Sequence, residues 1–305
     1  MPGITTDHQF LGPHVTIGAI PIFDGGLDDA VALCLANVRS GTTTRVATAN
    51  LDFFSLSRRN PQLRGDLQAA HLVVADGMPV TWLAKFAGAR GTSRVAGVDF
   101  VLKLCKMGGR TGGLRVALYG STEDVARAAA TFLEATSPGI TVTEVICPPF
   151  RQLDCDETAA VISRLSASKA DVVLVALGCP RQERFAAELA ELIPGKTWLG
   201  VGGSFDFFAG RRMRAPRMAQ RAGLEWLFRL AQEPRRLAGR YLLRDAPEFL
   251  RLLPAVLVRR MGARSKSPRA SVMARTESGV DGLETFATHA SDGIRVCGDV
   301  GRFPP

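Results

Sequence analysis

The sequence lacks a long hydrophobic run and a targeting pattern. Its longest apolar run, Val172 to Cys179, has eight residues, whereas a membrane-spanning helix needs about 20. The first residues, Met1 to His14, contain no basic start followed by an apolar stretch, so no secretory signal is expected. We therefore expect the protein to be synthesised in the cytoplasm and to stay on that side of the cell membrane.

Recognisable metal-binding spacing is also missing. The six cysteines are scattered without a CxxC pair, and the four histidines have no ligand spacing, so neither a zinc site nor a disulfide framework is expected. Asp154-Cys155-Asp156 spells DxD, a manganese-binding signature in many enzymes. It follows two prolines in a predicted loop, and Asp156 stands where a helix N-cap is needed, so we interpret it as a cap. We expect no metal and no cofactor.

The sequence lacks the usual features of two other classes of protein. A nicotinamide-dependent oxidoreductase would need G-x-G-x-x-G opening a helix and an acidic residue about 20 positions later, and neither occurs. No P-loop is present. A non-enzymatic nucleic-acid-binding module could use the basic segment 217–260, but base-stacking aromatic residues are few there. Both alternatives are disfavoured, and no nucleic-acid partner is expected.

Positive charge is abundant and concentrated. The net charge is +9, and the segment from Arg217 to Arg260 contains ten arginines and only four acidic residues. Apolar residues alternate with these arginines, which predicts a basic amphipathic surface. We expect an anionic membrane surface as partner, with this segment acting as a lid over the active site. The alternative, that its apolar face packs on the domain or forms a homo-oligomer interface, stays open.

Hydrophobic periodicity predicts an α/β fold with a mostly parallel, Rossmann-like sheet and helices on both faces. Strands are predicted at 15–20, 45–48, 72–75, 115–119, 141–146, 172–177 and 197–201, with a hairpin as the alternative near 18–22. Helices are predicted at 27–39, 53–70, 78–88, 99–108, 122–136, 157–168 and 182–192. We expect a catalytic domain over 1–215, a helical appendage over 216–261 and a disordered tail over 262–305.

Polar and glycine-rich residues follow five of these strands. In an open parallel sheet, ligands bind beyond the carboxyl ends of the strands. Asp76 follows a buried strand and could accept a proton from a hydroxyl, or merely cap the next helix. Gly120, Gly202 and Gly203 could offer N–H groups to a phosphate, or serve only tight turns. From position alone, both pairs of readings stay open.

Seven sequence blocks stand in this order: TAN (48–50), ADGMPV (75–80), RVAGVD (94–99), ALGCPRQE (176–183), GVGGSFDFFAG (200–210), RAP (214–216) and GLEWLFRLAQEPRR (223–236). With the sequence around them, from Gly18 to Arg236, they resemble the WecG/TagA/CpsF family, glycosyltransferase family 26. Departures are mild: Arg181 stands where lysine is usual, and Ala96 where threonine is usual.

The resemblance implies a metal-independent, inverting glycosyltransferase whose fold is neither of the two commonest in such enzymes, GT-A and GT-B. It implies transfer of N-acetylmannosamine, its uronic acid or glucose from a UDP-sugar to a polyprenyl-diphosphate-linked acceptor. By motif, Asp76 is the expected base. The residues expected to line the site or to meet the diphosphate are Thr48, Asn50, Arg94, Gln182, Asp206, Arg229 and Arg236.

Overall fold

The computed structural model describes residues 10–221 and 223–265. The strands in these ranges are β1 (His14–Ile17), β2 (Ile20–Phe23), β3 (Thr44–Ala49), β4 (Leu72–Ala75), β5 (Leu114–Gly120), β6 (Ile140–Ile146), β7 (Val172–Ala176) and β8 (Thr197–Gly200). β1 and β2 form an antiparallel hairpin, which was the alternative for this region. The other six strands form one parallel sheet in the order β4-β3-β8-β7-β5-β6.

The helices of the first 215 residues follow the strands. They are α1 (Leu27–Ser40), α2 (Leu51–Arg59), α3 (Pro61–Gln68), α4 (Met78–Ala87), α5 (Gly97–Arg110), α6 (Glu123–Thr136), α7 (Cys155–Ala167), α8 (Arg181–Leu192) and α9 (Ser204–Phe208). The single helix predicted over 53–70 is two helices. Asn60 ends α2 and caps α3 through a bond from the Leu63 N–H to its Oδ1 (3.1 Å), because a residue before proline disfavours the helical conformation.

The chain from residue 217 is helical, as predicted. It contains α10 (Arg217–Arg221), α11 (Glu225–Gln232), α12 (Pro234–Arg240) and α13 (Ala246–Ser265). A π-helical turn, Tyr241–Asp245, joins α12 to α13; Pro247, the second residue of α13, has no N–H to donate. The predicted tail lies outside the described residues, except for 262–265 at the end of α13.

Apolar residues on both faces of the sheet confirm the predicted α/β fold. On one face α1, α5, α6 and α9 pack over Val74, Leu118 and Leu174. The other face carries α2, α3, α4, α7 and α8 over alternating strand residues such as Val73 and Val173. β7 lies inside the sheet and is buried on both sides, as its continuous apolar run predicts.

Within the described range, no helix combines the length and the apolarity needed to cross a membrane. Cys34, Cys105, Cys147 and Cys179 are free thiols. Cys155 is disulfide-bonded, which its spacing in the sequence does not predict.

Helix α13 contributes to the core rather than covering it loosely. Leu252 and Val256 are 1% and 2% exposed in the cluster formed by the hairpin, α2, α3 and α4. A Cβ on Gly18 would lie 3.4 Å from a methyl group of Leu252. One face of the C-terminal segment therefore packs on the domain, and removing that segment would uncover the cluster.

We predict that Leu252→Ala lowers the free energy of unfolding by about 2–5 kcal/mol, because the truncation leaves a cavity in a buried cluster. Leu250→Ala, on the same helix at a position 68% exposed, should change it by less than about 0.5 kcal/mol. Urea unfolding of the full chain measures both. Equal, small effects would show that α13 does not pack as described.

Candidate active site

The position of Asp76 is fixed by the sheet. Its N–H donates to the carbonyl oxygen of Ala49 (2.9 Å), which extends the β3–β4 pairing by one residue and places Asp76 beside Asn50. Gly77, with φ of +123°, then turns the chain into α4. No side chain caps the start of α4. The carboxylate of Asp76 is thus not a helix cap, which was the alternative reading of this residue.

Asp76 faces a cavity of about 490 Å³ beyond the carboxyl ends of β3 and β4. The core side is formed by the ends of these strands, the start of α4 and Arg94, and the opposite side by α11, the π-helical turn and the start of α13. The lining residues include Asn50, Asp76, Trp82, Arg94, Glu225, Trp226, Arg229, Arg240, Tyr241, Asp245 and Phe249. This volume is in the range of small-molecule sites.

Among the residues that the structure describes, the charges in the cavity wall balance: the carboxylates are Asp76, Glu225 and Asp245, and the guanidinium groups are Arg94, Arg229 and Arg240. Arg94 forms an ion pair with Glu225, and Arg240 faces Asp245 at 3.6 Å. Among the described residues, no carboxylate lies within 4.0 Å of the Arg229 guanidinium, which instead stacks over the Phe207 ring at 5.6 Å. Arg229 is thereby available to an anionic ligand.

The cavity raises the pKa of Asp76. Burial raises it from 3.8 to about 6, because the ionised carboxylate loses hydration. Arg229 and Arg94 oppose this shift, while Glu225 and Asp99 add to it. A carboxylate with a pKa near 6 is ionised at neutral pH and is a stronger base than an exposed one.

A second carboxylate holds the loop that carries Arg94. Asp24, after β2, accepts hydrogen bonds from the N–H groups of Arg90 (3.1 Å), Gly91 (2.7 Å) and Thr92 (2.8 Å). Burial alone would raise the pKa of Asp24, but these bonds bring it below its ordinary value. At the other end of the loop, the Val95 N–H donates to the Ala75 carbonyl (2.8 Å). Arg94 is therefore fixed next to Asp76.

Several charged residues of the site were not singled out from sequence. Arg214 donates two hydrogen bonds to Asp99 (2.6 and 2.9 Å), and the Arg94 guanidinium lies 4.0 Å from the same carboxylate. Arg214, Asp99 and Glu225 fall inside the blocks RAP, RVAGVD and GLEWLFRLAQEPRR. In those blocks only Arg94, Arg229 and Arg236 were assigned roles. Arg240 and Asp245 follow the last block, so the family pattern gave no signal for them.

Thr48 and Gln182 lie behind the cavity, at the neighbouring end of β8. The Thr48 hydroxyl donates to the Gly200 carbonyl (3.1 Å). Gln182 is 2% exposed, and its Oε1 accepts from the Gly202 N–H (3.0 Å) while its Nε2 donates to Glu183 (2.7 Å). In this structure both side chains hold the glycine-rich loop after β8 and do not line the cavity.

Four of the remaining predicted site residues, Gly120, Gly202, Gly203 and Asp206, do not line the cavity that contains Asp76. Gly120 ends β5, and a Cβ there would lie 2.7 Å from the Ala176 carbonyl oxygen. Gly202 has φ of +50° and its N–H is taken by Gln182, whereas Gly203 precedes α9. Asp206, in α9, lies 3.4 Å from Arg212. Arg236 belongs to α12, and its side chain lies outside the described part of the structure.

The DxD sequence has a structural role, with one correction. The N-cap of α7 is Asp154, not Asp156: the Glu157 N–H donates to Asp154 (2.8 Å) and the Asp154 N–H donates back to Glu157 (3.0 Å). Asp156 lies in the first turn of the helix. Across residues 10–221 and 223–265, no group of three or more His, Cys, Asp or Glu side chains is placed to hold a metal ion.

We predict that Asp76→Asn stabilises the protein at pH 8. With a pKa near 6 in the folded chain and 3.8 in the unfolded one, the folded state binds more protons between pH 4 and 6, so stability falls as pH rises through that window. Asn avoids this loss. The free energy of unfolding of the variant should exceed that of the wild type by about 2 kcal/mol at pH 8, a value reduced for solvent screening of the carboxylate charge. This difference should disappear near pH 4. Urea unfolding at both pH values measures it, and a destabilised variant at pH 8 would contradict the shift.

The family comparison agrees with this architecture. The model of the Glycosyl transferase WecG/TagA/CpsF family matches residues 15–265. That range contains the sheet, the cavity and the helices that cover it. The chain belongs to the WecG/TagA/CpsF family of glycosyltransferases.

Proposed function

We propose that this glycosyltransferase moves a sugar from a UDP-sugar to a polyprenyl-diphosphate-linked saccharide, with inversion, in the synthesis of a bacterial cell-wall polymer or exopolysaccharide. The observation that carries the proposal is the carboxylate of Asp76, held at a strand end inside a cavity that also presents three guanidinium groups. A base and a set of cations in one cavity are what transfer from a diphosphate leaving group requires.

In the proposed reaction, Asp76 accepts the proton of the acceptor hydroxyl as that oxygen forms a bond to the anomeric carbon of the sugar. The bond from the anomeric carbon to UDP breaks on the opposite side, so the configuration inverts. Negative charge then develops on the leaving diphosphate. Arg229, which has no ion-pair partner among the described residues, is suited to meet it through charge-assisted hydrogen bonds. By family resemblance Arg236 joins it, and no metal is needed.

Apolar residues in the cavity wall support an amphipathic acceptor. Trp82 packs edge-on against Phe249, with ring centroids 6.5 Å apart, and both line the cavity. Leu242 and Leu250 also line it and are 69% and 68% exposed. A diphosphate at the arginines would leave its attached polyprenyl chain next to apolar side chains, where burial favours it.

The same surface supports a peripheral position on the cytoplasmic face of the membrane. Exposed apolar residues of the π-helical turn and α13 include Leu242, Leu243, Leu250 and Val258. Arg244 and Arg251, each 49% exposed in their side chains, lie among them. Arginines near an anionic bilayer and apolar side chains at its headgroup boundary both favour binding.

A transfer assay tests the proposed function. Full-length protein is incubated with a synthetic polyprenyl-diphosphate acceptor and UDP-linked N-acetylmannosamine, its uronic acid or glucose, with and without EDTA. We predict transfer from one of these donors in the presence of EDTA, rising with pH through about 6 as Asp76 ionises. Asp76→Asn should lose at least 10²-fold in turnover.

The matched control is Asp156→Asn, which changes the exposed DxD carboxylate and should retain full turnover. Three results would count against the proposal: no transfer from any donor, loss of transfer on chelation that Mn²⁺ restores, or a fully active Asp76→Asn variant.

We predict that Leu243→Glu weakens sedimentation of the full chain with anionic liposomes about tenfold, because it places a charge at a surface side chain that should enter the headgroup region. Phe150→Glu, at a position 75% exposed after β6, which is at the opposite edge of the sheet from β4, should bind like the wild type. Binding should weaken as salt rises. If both variants bind as the unchanged protein does, this surface does not meet the membrane, and its role as a homo-oligomer contact becomes the better reading.

A further inference from the structure

Helix α11 carries Arg229 into the cavity, yet burial does not hold it there. None of its eight residues is buried, and Trp226 and Leu227 are 44% and 47% exposed. An eight-residue helix has little stability of its own in water. The position of α11 must therefore depend on specific contacts.

One contact of α11 lies in the cavity wall: the ion pair between Glu225, the first residue of α11, and Arg94. Both side chains are mostly buried, 14% and 17% exposed, so each would be left desolvated without the other. The contacts at the far end of the helix are more exposed: Gln232 donates to the Met213 carbonyl (3.2 Å), and Arg212 lies 3.4 Å from Glu233.

The sequence spacing on α11 links this ion pair to Arg229. Glu225 and Arg229 are four residues apart, which places both on one face of the helix, one turn from each other. Both line the cavity, and both act on the pKa of Asp76, which Arg229 lowers and Glu225 raises. Fixing Glu225 on the core therefore fixes where the Arg229 guanidinium lies.

We propose that Glu225 is a positioning residue: its ion pair with Arg94 docks α11 on the strand ends and thereby holds Arg229 beside Asp76. The part that concerns transfer rests on the proposed function, whereas the docking does not. Arg94 is then the core residue to which α11 docks. The competing reading is that Glu225 merely occupies Arg94 as a substitute for a ligand phosphate, in which case its removal would strengthen substrate binding.

Hydrogen exchange of the ligand-free full chain tests the docking. Glu225→Gln should speed exchange of the α11 amides about tenfold or more, since a mostly buried pair is broken. Arg94→Gln should do the same without altering the sequence of α11, which separates docking from the propensity of the helix. Glu123→Gln is the control, because it removes an exposed ion pair at the first residue of α6 and should leave α11 unchanged. Unchanged α11 exchange in both cavity variants would overturn the proposal.

A double-mutant cycle tests the action through Arg229. Glu225→Gln should lower turnover about tenfold in the wild-type background and hardly at all when Arg229→Ala is already present, because the two residues act as a unit. Equal losses in both backgrounds, or a lower KM with unchanged or higher turnover, would contradict positioning and favour competition. If the wild type transfers no sugar, the proposed function fails, and the exchange experiment alone decides the docking.

Discussion

A carboxylate at the end of a buried strand loses much of its hydration. For Asp76 this loss raises the pKa, and the guanidinium groups of Arg229 and Arg94 lower it again in part. Hydrogen bonding to the end of β3 fixes its place, and the cavity raises its pKa to about 6. Guanidinium groups keep the shift from growing larger, because they favour the ionised form. The result is a group that is ionised at neutral pH but only weakly compensated, which is a suitable state for a base.

The C-terminal helices are part of the site because they bring charged side chains to the buried carboxylate of Asp76. The core supplies Asp76 and Arg94, but Arg229, Arg240, Glu225 and Asp245 come from residues beyond 220. Two kinds of contact hold these helices. Leu252 and Val256 anchor α13 by burial, whereas α11 has no buried residue and is held by contacts such as the ion pair of Glu225 with Arg94 and the stacking of Arg229 on Phe207. A firmly packed support thus carries a weakly packed segment, and weakly packed segments are those that can move when a ligand enters.

Much of the fold could be predicted because the alternation of apolar strands with amphipathic helices repeats along the chain. The break at Asn60-Pro61 and the cap at Asp154 depend on single residues: the break was missed, and the cap was predicted two residues later, at Asp156. At the site, Asp76 followed from its place after β4. The pairing of Arg94 with Glu225 could not be inferred, because residues 131 positions apart meet only after the C-terminal helices pack. The burial of Leu252 could not be inferred either, because the residues that cover it are distant in the sequence.

Titration of Asp76 is the most direct test of whether burial in the cavity raises the pKa of this carboxylate. Carbon-13 NMR of aspartate carboxyl groups in the ligand-free full chain, with the Asp76 signal assigned by its absence in Asp76→Asn, follows this one group between pH 3 and 8. We expect a midpoint near 6. A midpoint near the ordinary value of 3.8 would show that Asp76 is hydrated like a surface carboxylate, and the cavity described here would then not be the setting of a tuned base.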